Sequence, residues 1–181
     1  MSRIFAITNQ KGGVGKSTTA VNLGAALGRL GRRVLVVDVD PQGNSTSGLG
    51  VSKGELTNCI YDVLLQECPA HNARVLQVCQ GVDLLPATLR LAGAEIELVS
   101  VVAREARLTR ALRPLIGEYD MVLLDCPPSL GILTMNALAA AHEVLVPIQC
   151  EFYALEGITQ LLNVVELVRT HVNPNLAIGG V

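Results

Sequence analysis

Apolar residues along this chain follow two rhythms. Short unbroken runs (Ile4-Phe5-Ala6-Ile7, Val34-Leu35-Val36-Val37, Met121-Val122-Leu123-Leu124) predict buried strands. Between the first two runs, Ala20, Leu23, Ala26, Leu27 and Leu30 recur at helical spacing, and Gly31 supplies a stop. Strand, helix, strand at this short distance predicts a βαβ unit with a parallel pair and a right-handed crossover. Further along, Thr57 is expected to cap a short helix carrying Ile60, Val63 and Leu64. A brief edge strand is expected over 76–78 and a better one over 82–86. Helical stretches follow at 89–99 and 104–116. The strand over 120–125 leads to a helix over 132–141, a strand over 144–148, a helix over 154–171 and a last strand over 176–181. Residues 43–54, rich in Gly and Ser, read as a surface loop. The alternation predicts one α/β domain over 1–181, a doubly wound and mostly parallel sheet with helices on both faces.

Candidate chemistry begins in the first βα connection, Gln10-Lys11-Gly12-Gly13-Val14-Gly15-Lys16-Ser17-Thr18. A glycine-rich turn between strand and helix lets backbone N–H groups converge on phosphate, and the helix start adds partial positive charge. Residues Lys11, Gly12, Gly13, Val14, Gly15, Lys16, Ser17 and Thr18 are therefore the predicted nucleotide cradle. Lys16 is expected to reach the β- and γ-phosphates, and the Ser17 hydroxyl to hold Mg²⁺. The loop deviates from G-x-x-x-x-G-K-[ST], because Gln10 replaces the first glycine and a second lysine, Lys11, follows it. Lying across the loop from Lys16, Lys11 is suited to the phosphates of a facing subunit. The alternative is a solvated loop lysine.

Two acidic strand ends complete the pattern. The second strand runs out into Asp38-Val39-Asp40-Pro41-Gln42-Gly43-Asn44, and the strand over 120–125 ends in Asp125. Ligands of doubly wound sheets lie off the carboxyl ends of strands, so these acids are expected to face the phosphate loop. An apolar strand ending in Asp, downstream of such a loop, is a Walker-B pattern that places a carboxylate on the Mg²⁺ shell. Cys126-Pro127-Pro128-Ser129-Leu130-Gly131 then forms a stiff turn where a nucleotide-sensing switch would lie.

Composition adjusts this picture little. Half of the residues are hydrophobic and 17% are charged, which excludes a disordered chain. Aromatics make up 3%, leaving the core to Val, Leu, Ile and Ala. A net charge of −2 gives no general attraction to nucleic acid or anionic membrane. Arg104, Arg107, Arg110 and Arg113 would form a basic band drifting round a helix, read as a solvated face. Cys59, Cys68, Cys79, Cys126 and Cys150 form no C-x-x-C pair and read as reduced thiols of a cytosolic protein. His71, His142 and His171 lack ligand spacing. Met1-Ser2-Arg3 leads straight into the first strand, so no signal peptide is expected, and no apolar run is long enough to cross a bilayer.

With the deviant loop, Asp38-x-Asp40-Pro41-Gln42-Gly43-Asn44 and Asp125-Cys126-Pro127-Pro128-Ser129 in place, the chain resembles the ParA/Soj-type partition ATPases. Leu89-x-x-Ala92-Gly93-Ala94-Glu95, Thr134-x-Asn136-Ala137-Leu138 and Tyr153-Ala154-Leu155-Glu156-Gly157 extend the resemblance over the whole chain. It implies a P-loop NTPase fold of the deviant Walker-A branch and a slow, Mg²⁺-dependent ATPase. That enzyme would form a homodimer with ATP, bind DNA without sequence preference and be reset by a ParB-type partner. It would work in the cytoplasm on the nucleoid, with no membrane. By the same resemblance, Lys11 reaches across the dimer, Lys16 and Ser17 cradle phosphate and Mg²⁺, and Asp40 orients the attacking water. Asp125 fixes Mg²⁺ through water, and Asp38 supports the metal site. Gln149 and Glu156, after the strand expected beside the phosphate loop, are placed at the dimer face.

The resemblance also frames the alternatives. Members of the family run on for a further stretch with adenine contacts and DNA-binding arginines, whereas this chain stops at Gly179-Gly180-Val181, as a truncated chain would. The strand over 176–181 is then expected at a sheet edge. A MinD-type membrane-cycling ATPase shares the loop and both acids but needs an amphipathic C-terminal helix. An iron–sulfur reductase would need a second cysteine at a switch position like that of Cys126. A nucleotide-binding module without catalysis is the third contrast: the intact Lys11, Lys16 and Asp40 leave chemistry open, while loss of a C-terminal segment could abolish dimerisation.

Overall fold

Alternate residues of the central strands feed two separate cores, and this is why helices cover both faces of the sheet. The computed structural model describes residues 2–149 and 154–181. Its strands are β1 (Arg3–Ile7), β2 (Val34–Asp38), β3 (Val75–Cys79), β4 (Val82–Leu85), β5 (Met121–Asp125), β6 (Glu143–Leu145) and β7 (Ala177–Gly180). They form one sheet in the order β3-β4-β2-β5-β1-β6-β7, parallel throughout except for the β3–β4 pair. Ile4, Ala6, Leu35, Val37, Val122 and Leu124 point into one core, while Phe5, Ile7, Val34, Val36 and Leu123 point into the other. Strands buried on both sides lose the polar–apolar alternation of half-exposed strands, which accounts for the unbroken apolar runs.

The helices are α1 (Lys16–Arg29), α2 (Asn44–Gly48), α3 (Ile60–Leu64), α4 (Ala70–Ala73), α5 (Leu91–Glu97), α6 (Arg107–Leu112), α7 (Ile132–Ala140) and α8 (Ala154–His171). α1 covers the smaller core. Its end is a Schellman turn: Gly31, at φ 81°, donates its N–H to the Gly28 carbonyl at 3.0 Å, and Arg32 donates to Leu27 at 3.1 Å.

The face that α1 buries is the expected one in part: Ala20 lies in the smaller core and Leu23 and Leu27 pack against it, but two glycines join them. Lys16, Ala20, Gly24 and Gly28 are its buried residues, whereas Leu30 is 79% exposed and Ala26 is exposed too. The glycines bring the helix so close to the sheet that a Cβ at Gly24 would lie 3.0 Å from Val36 Cγ2. At Gly28 it would strike the Gln80 carbonyl oxygen and lie 2.9 Å from Val82 Cγ2. Backbone cannot yield as a flexible side chain does. Gly28→Val should therefore lower stability by about 3 kcal/mol, the upper range for overpacking, read as a lower urea midpoint with an unchanged m-value.

Other local expectations also shift. Residues 43–54 fold into α2 and a 3-10 turn at Lys53–Glu55 rather than a loop. The N-cap of α3 is Cys59, not Thr57: the Asp62 carboxylate reaches back to the Cys59 N–H at 2.8 Å and is itself held by Arg90 at 2.7 Å. β6 ends at Leu145, short of the expected 148. The arginine band does not form on one helix, because α6 spans only Arg107–Leu112. Arg104 sits in a separate 3-10 turn with its guanidinium on the Val99 carbonyl at 2.6 Å. β7 does lie at the sheet edge. Cys150, Tyr153 and the side chain of Glu156 fall outside the described part, so the expectations placed on them are not addressed.

The register fixes where chemistry can occur. Asp125 at the end of β5 stands opposite Ile7 of β1 on one side and Asp38 of β2 on the other. The phosphate loop leaves β1 at this same end of the sheet, so both acidic strand ends meet it there.

Candidate nucleotide site

β1 runs through Thr8 and Asn9 into the loop, and Asn9 shapes its entrance. Its Oδ1 accepts the Lys11 N–H at 3.0 Å and its Nδ2 donates to the Pro147 carbonyl at 2.8 Å, tying the loop to the chain beyond β6. Gly13 and Gly15 adopt φ of 75° and 97°, and Gly15 caps α1 in the left-handed conformation. A Cβ on Gly12, Gly13 or Gly15 would meet nothing within 4 Å. Gly13 and Gly15 are thus required by backbone conformation, beside an open hollow that both of them line. Val14 is buried beneath the loop. From the far side, Gln149 Nε2 donates to the Gly13 carbonyl at 3.3 Å, as its expected place beside the loop implied.

That hollow is a cleft of about 390 Å³ lined by Gly12, Gly13, Gly15, Lys16, Ser17 and Thr18 on the loop side. Asp40, Gln42, Asn44 and Pro128 form the opposite wall. Lys16 is 7% exposed, and its ammonium donates to the Lys11 carbonyl at 3.1 Å. Burial lowers its pKa, against the pull of Asp125 and Asp40. Lys11 itself is half-buried, with its backbone held by Asn9.

The acids take different roles. Asp40, 7% exposed, accepts the Gln42 N–H on Oδ1 at 2.8 Å, and its carbonyl accepts the Gly43 N–H at 2.9 Å. This Asx turn aims the carboxylate into the cleft. Asp125 is fully buried behind the wall. Its Oδ2 accepts the Ser45 hydroxyl at 2.6 Å, while Oδ1 is buried with no protein donor. Desolvation pushes the Asp125 carboxyl up, opposed by the hydroxyls of Ser45 and Ser17 and by Lys16.

Asp38 differs from the expected metal group. Its Oδ2 accepts both the N–H and the hydroxyl of Thr46 at 2.7 Å, and its Oδ1 accepts the Asp40 N–H at 3.2 Å. With donors on both of its oxygens, Asp38 anchors the 40–46 turn, whereas the equally buried Asp125 keeps one oxygen without a donor. Burial raises its pKa to about 7. Thr46 Oγ1 also accepts the Ala87 N–H at 2.9 Å, joining the ends of β2 and β4 through one hydroxyl. Asn9, Ser45 and Thr46 were not singled out by the sequence pattern. Asn9 reaches Pro147, Ser45 reaches Asp125 and Thr46 reaches Ala87, all far along the chain, and no periodicity marks such contacts.

Cys126 carries no metal-ligand signal. It is fully buried, desolvation pushes its thiol up, and among the described residues no group of three His, Cys, Asp or Glu is placed to hold a metal ion. Among them, too, no helix is long and apolar enough to cross a membrane.

Comparison with known proteins bears on this geometry. An AAA-domain family model matches residues 2–178. The sporulation initiation inhibitor protein Soj of Bacillus subtilis is 55% identical over 181 residues, covering all of this chain and 72% of Soj. The chain belongs to the ParA/Soj family of partitioning ATPases. The chromosome partitioning protein ParA of Myxococcus xanthus is 52% identical over 181 residues, again along the whole chain but over 64% of the Myxococcus protein. A crystal structure described as cobyrinic acid a,c-diamide synthase from Mycobacterium smegmatis, with bound ADP and magnesium, superposes with a TM-score of 0.96. It is 47% identical and matches all of this chain and 74% of that one. The ParA/Soj-family chain described here thus has a P-loop NTPase fold and spans roughly two thirds to three quarters of these relatives' lengths.

Proposed function

We propose that this chain binds ATP with Mg²⁺ in the cleft between the phosphate loop and the Asp40 turn, and hydrolyses it as a dimerisation switch. The observation that carries the reading is the buried Lys16 ammonium parked on a loop carbonyl, in an open hollow that it lines together with the glycines of the loop and Asp40. The residues present fit the metal as well. The Asp125 Oδ1 is buried without a donor, and Asp125 feels the Ser17 hydroxyl, so this pair would hold Mg²⁺, with Asp125 acting through water. Magnesium, when bound, neutralises charge on the phosphates.

The chain's own residues do the rest. On nucleotide binding Lys16 exchanges the Lys11 carbonyl for phosphate oxygens, and the N–H groups of 12–18 bind the remaining charge. Asp40 holds and orients the attacking water, its carboxylate fixed by the Gln42 N–H. Lys11 reaches the nucleotide of a second copy, so that ATP joins two subunits and its hydrolysis loosens them. By its kinship with Soj and ParA, the dimer would bind DNA without sequence preference, answer to a ParB-type partner and act on the nucleoid in the cytoplasm.

The decisive variant is Lys11→Ala. Affinity for a slowly hydrolysed ATP analogue at protein concentrations below dimerisation should stay within about threefold, since no uniform contact is lost. Dimerisation with that analogue should weaken by roughly tenfold to a hundredfold, the value of one or two charge-assisted bonds. Light scattering after size exclusion reads the mass. Full-strength dimerisation of the variant would refute the shared lysine.

A further inference from the structure

A carboxylate that holds a metal through one oxygen needs something to stop it rotating. In this chain the Ser45 hydroxyl donates to Oδ2 of Asp125 at 2.6 Å, and the Ser17 hydroxyl also acts on that carboxylate. Ser45 and Asp125 are both 0% exposed, so no bulk water competes for the bond between them. The other oxygen is left buried without a partner, on a carboxylate that also feels Ser17 and Lys16.

We propose that Ser45 is a positioning residue for the metal, pinning one oxygen of Asp125 so that the other is presented to the Mg²⁺ shell. The inference rests on the reading of the cleft as an ATP and Mg²⁺ site. Ser45 belongs to α2, which follows directly on the turn that carries Asp40, Gln42 and Asn44. The next residue, Thr46, clamps Asp38 in the same way. The dipeptide therefore ties the acidic ends of neighbouring strands β2 and β5 to the segment that orients water. The Ser45 bond is the direct link between that segment and the metal-holding acid, and it couples magnesium occupancy to the placement of Asp40.

Removing the Ser45 hydroxyl takes away the 2.6 Å bond that pins Oδ2, leaves Ser17 as the hydroxyl acting on the carboxylate and frees it to turn. Losses of ten- to a hundredfold in metal affinity are usual when the partner that orients a ligand is removed. The test is a Mg²⁺ titration of fluorescent ADP binding to the full chain, with a parallel measurement in EDTA. Ser45→Ala should raise the Mg²⁺ concentration for half-maximal effect by about tenfold. Affinity for the nucleotide in EDTA should stay as in the parent. Ser45→Cys, which keeps the volume but donates weakly, should fall between the two, and it carries the test alone if the alanine variant does not fold. An unchanged Mg²⁺ midpoint, or an equal loss of nucleotide affinity with and without the metal, would overturn the positioning role. Failure of the parent chain to bind the nucleotide at all would instead refute the reading of the cleft.

Discussion

Lys16→Ala is expected to lose ATP binding. Its ammonium is 7% exposed and makes its one described hydrogen bond to the Lys11 carbonyl, an exchangeable contact at the mouth of the cleft. A phosphate oxygen offers a full negative charge in place of that dipole, in a wall where burial strengthens the attraction. Losing it removes about 3 kcal/mol, on the order of a hundredfold in Kd by calorimetry. It also leaves Asp40 and Asp125, the two acids that act on Lys16, without the intervening cation, which further disfavours an anionic ligand. The fold itself should persist, because the Lys11 carbonyl is then open to water. Parent-like affinity in the variant would remove the phosphate-binding assignment of the loop.

Asp40→Ala and Asp40→Asn should stall turnover while leaving nucleotide binding nearly intact. The distinction between them is structural. The Asp40 Oδ1 closes the turn by accepting the Gln42 N–H, and asparagine can keep that bond while losing the charge. If Asp40 only shaped the turn, the asparagine variant would hydrolyse ATP at the parent rate. If its carboxylate orients and polarises the water, both variants should lose about a hundredfold or more in single-turnover rate. Affinity for ATP with Mg²⁺ should change by less than about threefold, as for an interaction made in the transition state alone. Phosphate release from a pre-bound complex measures the rate, and equilibrium titration measures the affinity.

Much of this molecule was legible before its structure. Unbroken apolar runs announced strands buried on two faces, and the sheet order sets the acidic ends of β2 and β5 next to β1, from which the glycine loop leaves. These features are local, since a glycine turn, a strand and the carboxylate ending it are encoded within a few consecutive residues. Helix α1 shows where local pattern misleads. Leucine and alanine spacing placed Ala20, Leu23 and Leu27 on the core, but Gly24 and Gly28 set the closest approach on that side, while Ala26 and Leu30 stay in solvent. At Thr57 the preferred cap type lost to Cys59, because an aspartate held by Arg90 supplies the capping oxygen.

Sequence alone therefore determined the strands, their mostly parallel sheet and the phosphate loop, and nominated the lysines and acids proposed to meet a nucleotide. The division of labour among the acids was decided in three dimensions. Asp38 and Asp125 are equivalent as strand-ending aspartates, and only the folded chain sets Thr46 and the Asp40 N–H on the first and Ser45 on the second. A carboxylate's role follows from which of its oxygens are already satisfied. Those donors come from residues up to 80 positions away, a distance over which periodicity carries no information.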